Sequence, residues 1–188
     1  MIKENNLQNL SLYKTPPNFR GKSKIVVQLW WFVQALFFNC SPQAMYGWRR
    51  FLLRIFGARI GKGVVIRPSV KITYPWKLVI EDYSWIGDDV VLYTLGSITI
   101  GKHSVVSQRS YLCTGSHDYN RIDFPIYQKP IVVESECWIA TDVYVGPGVT
   151  IGHGSIVGAR SSVFKNIPER KICYGNPARV IKKRKDEV

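Results

Sequence analysis

The chain contains three histidines, at positions 103, 117 and 153, and four cysteines, at 40, 113, 137 and 173. These are the side chains able to move protons or carry acyl groups near neutral pH. A neutral imidazole can take the proton of a hydroxyl as that oxygen attacks a carbonyl. His103 and His153 stand in Gly101-Lys102-His103 and Gly152-His153-Gly154, which read as solvated turns. His117 closes Thr114-Gly115-Ser116-His117, just ahead of a long irregular stretch. From the residues alone two readings of His117 stay open: a general base, or a structural residue at the root of a loop. Cys113 reads as a buried wall residue rather than an acyl carrier. A developing oxyanion needs a donor, which a backbone N–H or Ser116 would supply. No cysteine pair has CxxC spacing, which argues against a zinc ribbon or a thioredoxin-like site. All four cysteines read as reduced and buried.

The elements that must position these groups follow from a periodicity of six. Aliphatic residues stand at Ile60, Ile66 and Ile72, at Ile80, Ile86 and Leu92, and at Ile100, Val106 and Leu112. They return at Val133, Ile139, Val145, Ile151, Val157 and Val163. Glycine often follows, as at Gly61, Gly87, Gly101 and Gly152, and a small or β-branched residue recurs four places on, as at Val64, Ser84, Ser104 and Ser110. Hexapeptide periods specify a parallel β-helix. Each hexapeptide is a short strand and a corner, and three make a triangular coil. The spacing predicts five coils over 60–77, 80–97, 100–117, 133–150 and 151–168. At a strand spacing of about 4.8 Å the prism is about 24 Å long. Residues 118–132 interrupt the period and form a loop thrown out from the coil, of a length that is usually functional.

The flanks differ in character. Residues 1–23 are polar, with Pro16-Pro17, and read as a loosely held arm. Residues 25–38, IVVQLWWFVQALFF, read as a helix that Ser41-Pro42 breaks. Residues 43–57 read as an amphipathic helix with Trp48, Phe51, Leu52 and Ile55 on one face and Arg49, Arg50 and Arg54 beside it. The apolar run falls short of the ~20 residues that span a bilayer, and no signal-peptide cleavage site follows it. A cytoplasmic protein is expected. The organisation is thus an arm and two helices over 1–59, the β-helix over 60–168, and a basic tail over 169–188. The net charge of +13, from 26 Lys and Arg against 13 Asp and Glu, suits nucleic acid, an anionic membrane surface or a phosphorylated ligand. Trp30, Trp31, Phe32, Phe37 and Phe38 beside the three arginines suit an interfacial helix pair at an anionic membrane, that is, a peripheral contact at its inner face. The competing reading packs the same aromatics on the prism end.

The stretches LWWFVQALFF, RRFLLRIFGARIGKGVVIRPSVKITYPWKL, YLCTGSHDY, PGVTIG and GNPARVI resemble the hexapeptide-repeat acyltransferases, above all the colanic acid biosynthesis acetyltransferases, over residues 25–184. Galactoside and maltose acetyltransferases share the frame more distantly. The resemblance implies an all-β left-handed parallel β-helix, its hand coming from the family. It implies homotrimers with sites between neighbouring prisms, and acetyl transfer from acetyl-CoA to a sugar hydroxyl without a metal. It makes His117 the base. It implies that Trp138 borders the thioester end of acetyl-CoA and that the backbone at Thr141 and Ala159 bonds the pantetheine arm. Lys165, Arg179 and Lys182 then meet its phosphates. Two departures stand out. Phe164 replaces a threonine of the family beside Lys165. Tyr93 stands where galactoside-type enzymes have an acceptor-binding asparagine, so the acceptor is not transferable. Tyr93 and Ser116 are the candidate acceptor residues. The resemblance implies as acceptor a free sugar, a sugar nucleotide or a lipid-linked sugar of exopolysaccharide synthesis.

Other readings fare worse. Zinc-dependent carbonic anhydrases of this fold need three histidines, two of them five residues apart, and the intervals here are 14 and 36. There is no GxGxxG, and Gly21-Lys22-Ser23 lacks the earlier glycine of a P-loop. No nucleic-acid module is recognisable. The alternatives that remain are N-acetylation of an amino-sugar nucleotide and a non-catalytic β-helix scaffold.

Overall fold

The computed structural model describes residues 7–185. The hexapeptides form a three-sided parallel β-helix whose sides are two five-stranded sheets and one longer sheet. The first side begins at Arg59–Ile60, the second at Val65–Ile66 and the third at Lys71–Ile72. Register is held at the aliphatic positions: Ile60 lies over Ile80, Ile66 over Ile86, and Ile72 over Leu92. These residues fill the prism, and Ile66, Ile86, Ile100, Val106, Ile139 and Val157 are wholly buried. The spacing predicts five coils, and the structure exceeds that count, with about six turns. A sixth, partial coil follows through the Ile151–Ile167 bridge and the pairing of Ile156–Val157 with Lys171–Gly175.

The corners explain the rest of the repeat. Corner positions with positive φ are taken by large and charged residues, Tyr83, His103, Arg109, Glu136, Asp142 and Arg160, as well as by glycines such as Gly63 and Gly154. The recurring serine instead lies inside and joins adjacent coils. Ser84 donates to the Gly101 carbonyl at 2.7 Å and accepts from the Ser104 N–H. Ser104 repeats this with Glu134 and Cys137, and Ser110 with Ala140 and Val143. Buried hydroxyls are thereby satisfied. The glycine after the aliphatic residue is required by space: a Cβ on Gly101 would lie 2.5 Å from the Ser135 backbone nitrogen.

Two helices close the first coil. Helix α1 (Lys24–Val33) is capped by Ser23 and continues as a π-helical turn, Gln34–Phe38; helix α2 spans Tyr46–Ile55. A terminal coil exposes unpaired carbonyls that invite strand addition. Here each side's carbonyl has a helix-borne donor. Arg54 bonds Ile60 O at 2.7 Å, Arg49 bonds Ile66 O at 2.7 Å, and the Trp30 indole bonds Ile72 O at 2.8 Å. Arg49 is wholly buried and also holds Ser41, Pro42 and Gln43. It therefore belongs to the prism cap and not to an exposed arginine cluster.

Two further expectations change. The arm is pinned rather than loose: Asn9 N–H donates to Ile122 O at 2.7 Å, the Trp76 indole to Arg20 O at 2.7 Å, and Lys77 to Phe19 O at 2.7 Å. Cys113, Cys137 and Cys173 are buried free thiols, whereas Cys40 is exposed.

Candidate active site

The third coil ends earlier than its spacing suggests. Its last strand is Tyr111–Cys113, after which the chain leaves the prism. Residues Gly115–His117 pair antiparallel with Ile126–Gln128, so the excised segment is a hairpin with His117 opposite Ile126. Thr114 fixes its root. Its hydroxyl donates to Tyr93 O at 2.5 Å and accepts from Gly96 N–H at 2.8 Å, while its carbonyl accepts from Lys129 N–H at 2.9 Å. The Lys77 ammonium reaches the Leu95 carbonyl and the Gln128 side chain, tying the second coil to the hairpin.

His117 is half-buried, and its orientation is set by the hairpin turn. Nδ1 lies 2.9 Å from Phe124 O. A carbonyl oxygen only accepts, so Nδ1 carries a proton, and in the neutral ring the lone pair is on Nε2. The Phe124 ring stacks on the imidazole at 4.4 Å and 9°. Phe124 takes φ +45, a costly conformation for a bulky residue, to bring its carbonyl there. An Asx turn from Asp118 to Asn120 and a two-point Arg121–Asp123 ion pair hold the turn. Beside His117 lies an open groove of about 560 Å³, lined by Asp118, Tyr119, Arg121, Tyr127 and Lys129. The sequence offered no sign of the Phe124 carbonyl or of Tyr13, whose ring stands 6.2 Å from that of His117.

The candidate acceptor residues split. Tyr93 lies one coil from Cys113, with its ring 6.0 Å from Tyr111. Burial chiefly raises its hydroxyl pKa, with Cys113 and Tyr13 adding to the effect. Ser116 is the strand neighbour of His117, so the two fall on opposite faces of the hairpin. That placement speaks against Ser116 as a donor to the same reacting atom. The Cys113 thiol is buried and contacts Gly115 O at 3.1 Å.

The other candidates lie elsewhere on the prism. Trp138 is half-exposed on the second side, with its indole donating to Ser107 Oγ at 3.0 Å. Thr141 and Ala159 occupy the corner between the second and third sides, one coil apart. The Thr141 hydroxyl donates to Gln108 O at 3.0 Å. Its neighbour Asp142 is gripped at two points by Arg109, at 2.7 and 2.9 Å, which with Thr141 holds the Asp142 carboxyl down at about 2. The backbone amides of Thr141 and Ala159 find no acceptor among the described residues. Lys165 is exposed after the third side of the fifth coil, on the edge that carries His117. Arg179 and Lys182 lie on Ala178–Lys183, antiparallel to Lys171–Gly175. Three residues apart, they would face opposite ways on a regular strand. A bulge puts Arg179 opposite Tyr174 and Lys182 opposite Ile172, so both point outward on one face. A single chain therefore does not bring His117 together with Trp138, Thr141 and Ala159, which stand at a different edge of the prism. His103 stacks on Tyr83 at 5.3 Å, and His153 stands 3.7 Å from Glu136.

The family model for Bacterial transferase hexapeptide (six repeats) matches residues 130–165. The chain is 65% identical to the colanic acid biosynthesis acetyltransferase WcaF of Escherichia coli strain K12, over 95% of this chain and 98% of that one. This protein is a hexapeptide-repeat acetyltransferase. Among solved structures, the acetyltransferase resembles a hexapeptide-repeat acetyltransferase of Vibrio cholerae complexed with acetyl-CoA, at 29% identity and TM-score 0.78, covering 87% of this chain and 89% of that one. It shares the fold of a maltose O-acetyltransferase from Clostridium difficile, at 24% identity and TM-score 0.79, covering 87% and 90%. Among the described residues, no helix of the acetyltransferase is long and apolar enough to cross a membrane.

Proposed function

We propose that the chain transfers an acetyl group from acetyl-CoA to a hydroxyl of an exopolysaccharide sugar, with His117 as general base. The observation that carries this reading is the Nδ1–H bond from His117 to the Phe124 carbonyl. In the neutral ring it leaves Nε2 as the acceptor, on a residue that lines an open groove. A sugar hydroxyl within hydrogen-bond reach of Nε2 gives up its proton there as its oxygen attacks the thioester carbonyl. Acetyl-CoA supplies the acyl group and the thiolate leaving group. The free amides at Thr141 and Ala159 suit an extended amide-bearing arm, Trp138 suits its thioester end, and Lys165, Arg179 and Lys182 suit phosphates. Tyr93 walls the acceptor side of the hairpin root.

The separation of His117 from Trp138, Thr141 and Ala159 favours a homotrimer in which neighbouring prisms share each site. A monomer by light scattering at micromolar concentration overturns that arrangement. The 65% identity to WcaF supports an exopolysaccharide acceptor, with the substrate a free sugar, a sugar nucleotide or a lipid-linked sugar.

Thiol release from acetyl-CoA, measured with a panel of those three acceptor types, tests the reading. Transfer to a hydroxyl that disappears in His117→Ala is the expected result. Transfer confined to amino-sugar nucleotides makes the enzyme an N-acetyltransferase instead. Absence of acetyl-CoA binding by calorimetry favours a non-catalytic scaffold.

A further inference from the structure

The cap formed by α1 and α2 has two apolar faces, and only one of them is used. Val27, Trp30 and Phe38 turn inward and are wholly buried. Ile25, Leu29, Phe32 and Leu36, spaced four, three and four apart, form a stripe on the opposite side of α1 and its π turn. They are 78%, 51%, 55% and 51% exposed. The stripe continues onto α2. The Phe32 ring stands 6.3 Å from Phe37, the Trp48 indole donates to Phe37 O at 2.8 Å, and Trp48 stacks on Phe51 at 5.8 Å. Phe37, Phe51 and Ile55 are each about half-exposed or more. The two helices thus carry one continuous aromatic and aliphatic patch on the outside of the molecule. Exposed apolar patches of this kind mark interaction sites.

Most of the net charge lies in the part of the sequence that contains the cap and the first coil. Residues 5–80 hold 12 of the 26 Lys and Arg and none of the 13 Asp and Glu. Residues 81–188 are nearly balanced, with 13 basic and 12 acidic side chains. No charged residue at all lies between Lys24 and Arg49. Lys22 and Lys24 are exposed at the start of α1, and Arg54, Arg59 and Lys62 are exposed beside α2. Glu81 and Asp82 of the second coil stand near Arg54, Arg59 and Lys62, whereas Lys22 and Lys24 border the apolar face on a segment that carries no acid. An apolar face edged by these cations matches a surface that is apolar inside and anionic outside. Neither helix is long enough to cross a bilayer. Both are suited to lie in its headgroup region.

We propose that the α1–α2 cap docks this protein on the surface of an anionic phospholipid bilayer. Phe32, Phe37 and Phe51 enter the acyl boundary, while Lys22 and Lys24 meet lipid phosphates. Docking does not depend on acetyl transfer, so the two readings fail separately. The test uses the full chain and sedimentation with vesicles of phosphatidylglycerol and phosphatidylethanolamine, against vesicles of phosphatidylcholine alone. The wild-type protein is expected to sediment with the anionic vesicles at low salt and to be released as salt is raised. Lys22→Glu with Lys24→Glu is expected to weaken retention at least tenfold, since each cation near an anionic surface is worth about fivefold. Phe32→Ser, Phe37→Ser and Phe51→Ser together are expected to abolish retention while acetyl transfer to a soluble acceptor and oligomeric state are unchanged. Equal retention of either variant, or no retention of the wild type at low salt, overturns the proposal. A change of oligomeric state in the serine variant also overturns it, because the patch is then a contact between copies. Loss of transfer to every acceptor with vesicle binding intact overturns the catalytic reading alone.

Discussion

His117 and Phe124 stand face to face at 4.4 Å, and the Phe124 carbonyl takes the imidazole Nδ1–H at 2.9 Å. One residue supplies both a wall and an acceptor, so the ring of His117 is fixed in plane and in tautomer. Many catalytic histidines owe this orientation to a carboxylate. Here a backbone carbonyl does it, and no second titrating group is involved in the orientation.

His117→Ala should lower kcat by 10²–10⁴ and leave thermal unfolding nearly unchanged, because the ring sits on a hairpin outside the prism. Phe124→Ala keeps the carbonyl and loses the stack. It should lower kcat far less than His117→Ala. Steady-state kinetics of the two variants, with circular dichroism to verify the fold, make the comparison. Wild-type turnover in His117→Ala removes the imidazole from the mechanism.

Arg179→Ala and Lys182→Ala should each raise KM for acetyl-CoA with little change in kcat, as expected where a contact is made equally in ground and transition states. Both side chains share the outer face of one strand because of the bulge. The effect should shrink when the donor is dephospho-CoA if these cations read the 3′-phosphate. Equal effects on both donors show that they do not.

The prism was legible in the sequence because its aliphatic residues point inward at a fixed interval, and the same residues carry the register. The inward serines were legible as small residues, but their bonds were not, since each partner lies one coil away. The root of the hairpin was misread by three residues: Leu112 keeps the period, while Gly115–His117 pairs with a strand beyond the turn. The orientation of His117 was hidden for the same reason. Phe124 reaches it through a turn whose positive φ leaves no mark in residue type. The clustering of Arg179 and Lys182 was implied only by resemblance, and a bulge, invisible to spacing, produces it. Arg49 looked like its neighbours Arg50 and Arg54, yet helix phase turns it alone into the interior.

That difference gives a stability prediction. Arg49→Ala leaves the Ile66, Pro42 and Gln43 carbonyls without their charged donor and opens a void beneath α2. The Ile66 carbonyl is buried, and leaving it unpaired costs about 1–3 kcal/mol. Pro42 and Gln43 are exposed, so water can replace the donor there. With the lost packing of the wholly buried Arg49 side chain, a total of about 3 kcal/mol is expected. For a chain of this size that lowers Tm by roughly 6–12 °C. Arg54→Ala removes an exposed side chain with bonds of the same kind and should cost about 1 kcal/mol. Calorimetry of both variants separates the two. An Arg49→Ala protein as stable as Arg54→Ala contradicts the capping role.

The corner that carries Thr141 should be sensitive to acid. The Asp142 carboxyl is held at about 2, against an ordinary 3.8, first by its hydrogen bonds to Arg109 and then by that cation's charge and the Thr141 hydroxyl. A carboxyl with a depressed folded-state pKa binds fewer protons folded than unfolded. Its contribution to stability is therefore fully present above about pH 4 and disappears as pH falls through about 2. The pair is at the surface, so the contribution is modest. Asp142→Asn removes the titration and keeps the shape. Urea unfolding at pH 6 and at pH 3 should show a smaller loss of stability on acidification for Asp142→Asn than for the wild type. At pH 6 the same substitution should raise KM for acetyl-CoA, since Thr141 is positioned through this clamp. A wild type and variant with identical acid dependence would mean that Arg109 does not hold Asp142 in solution.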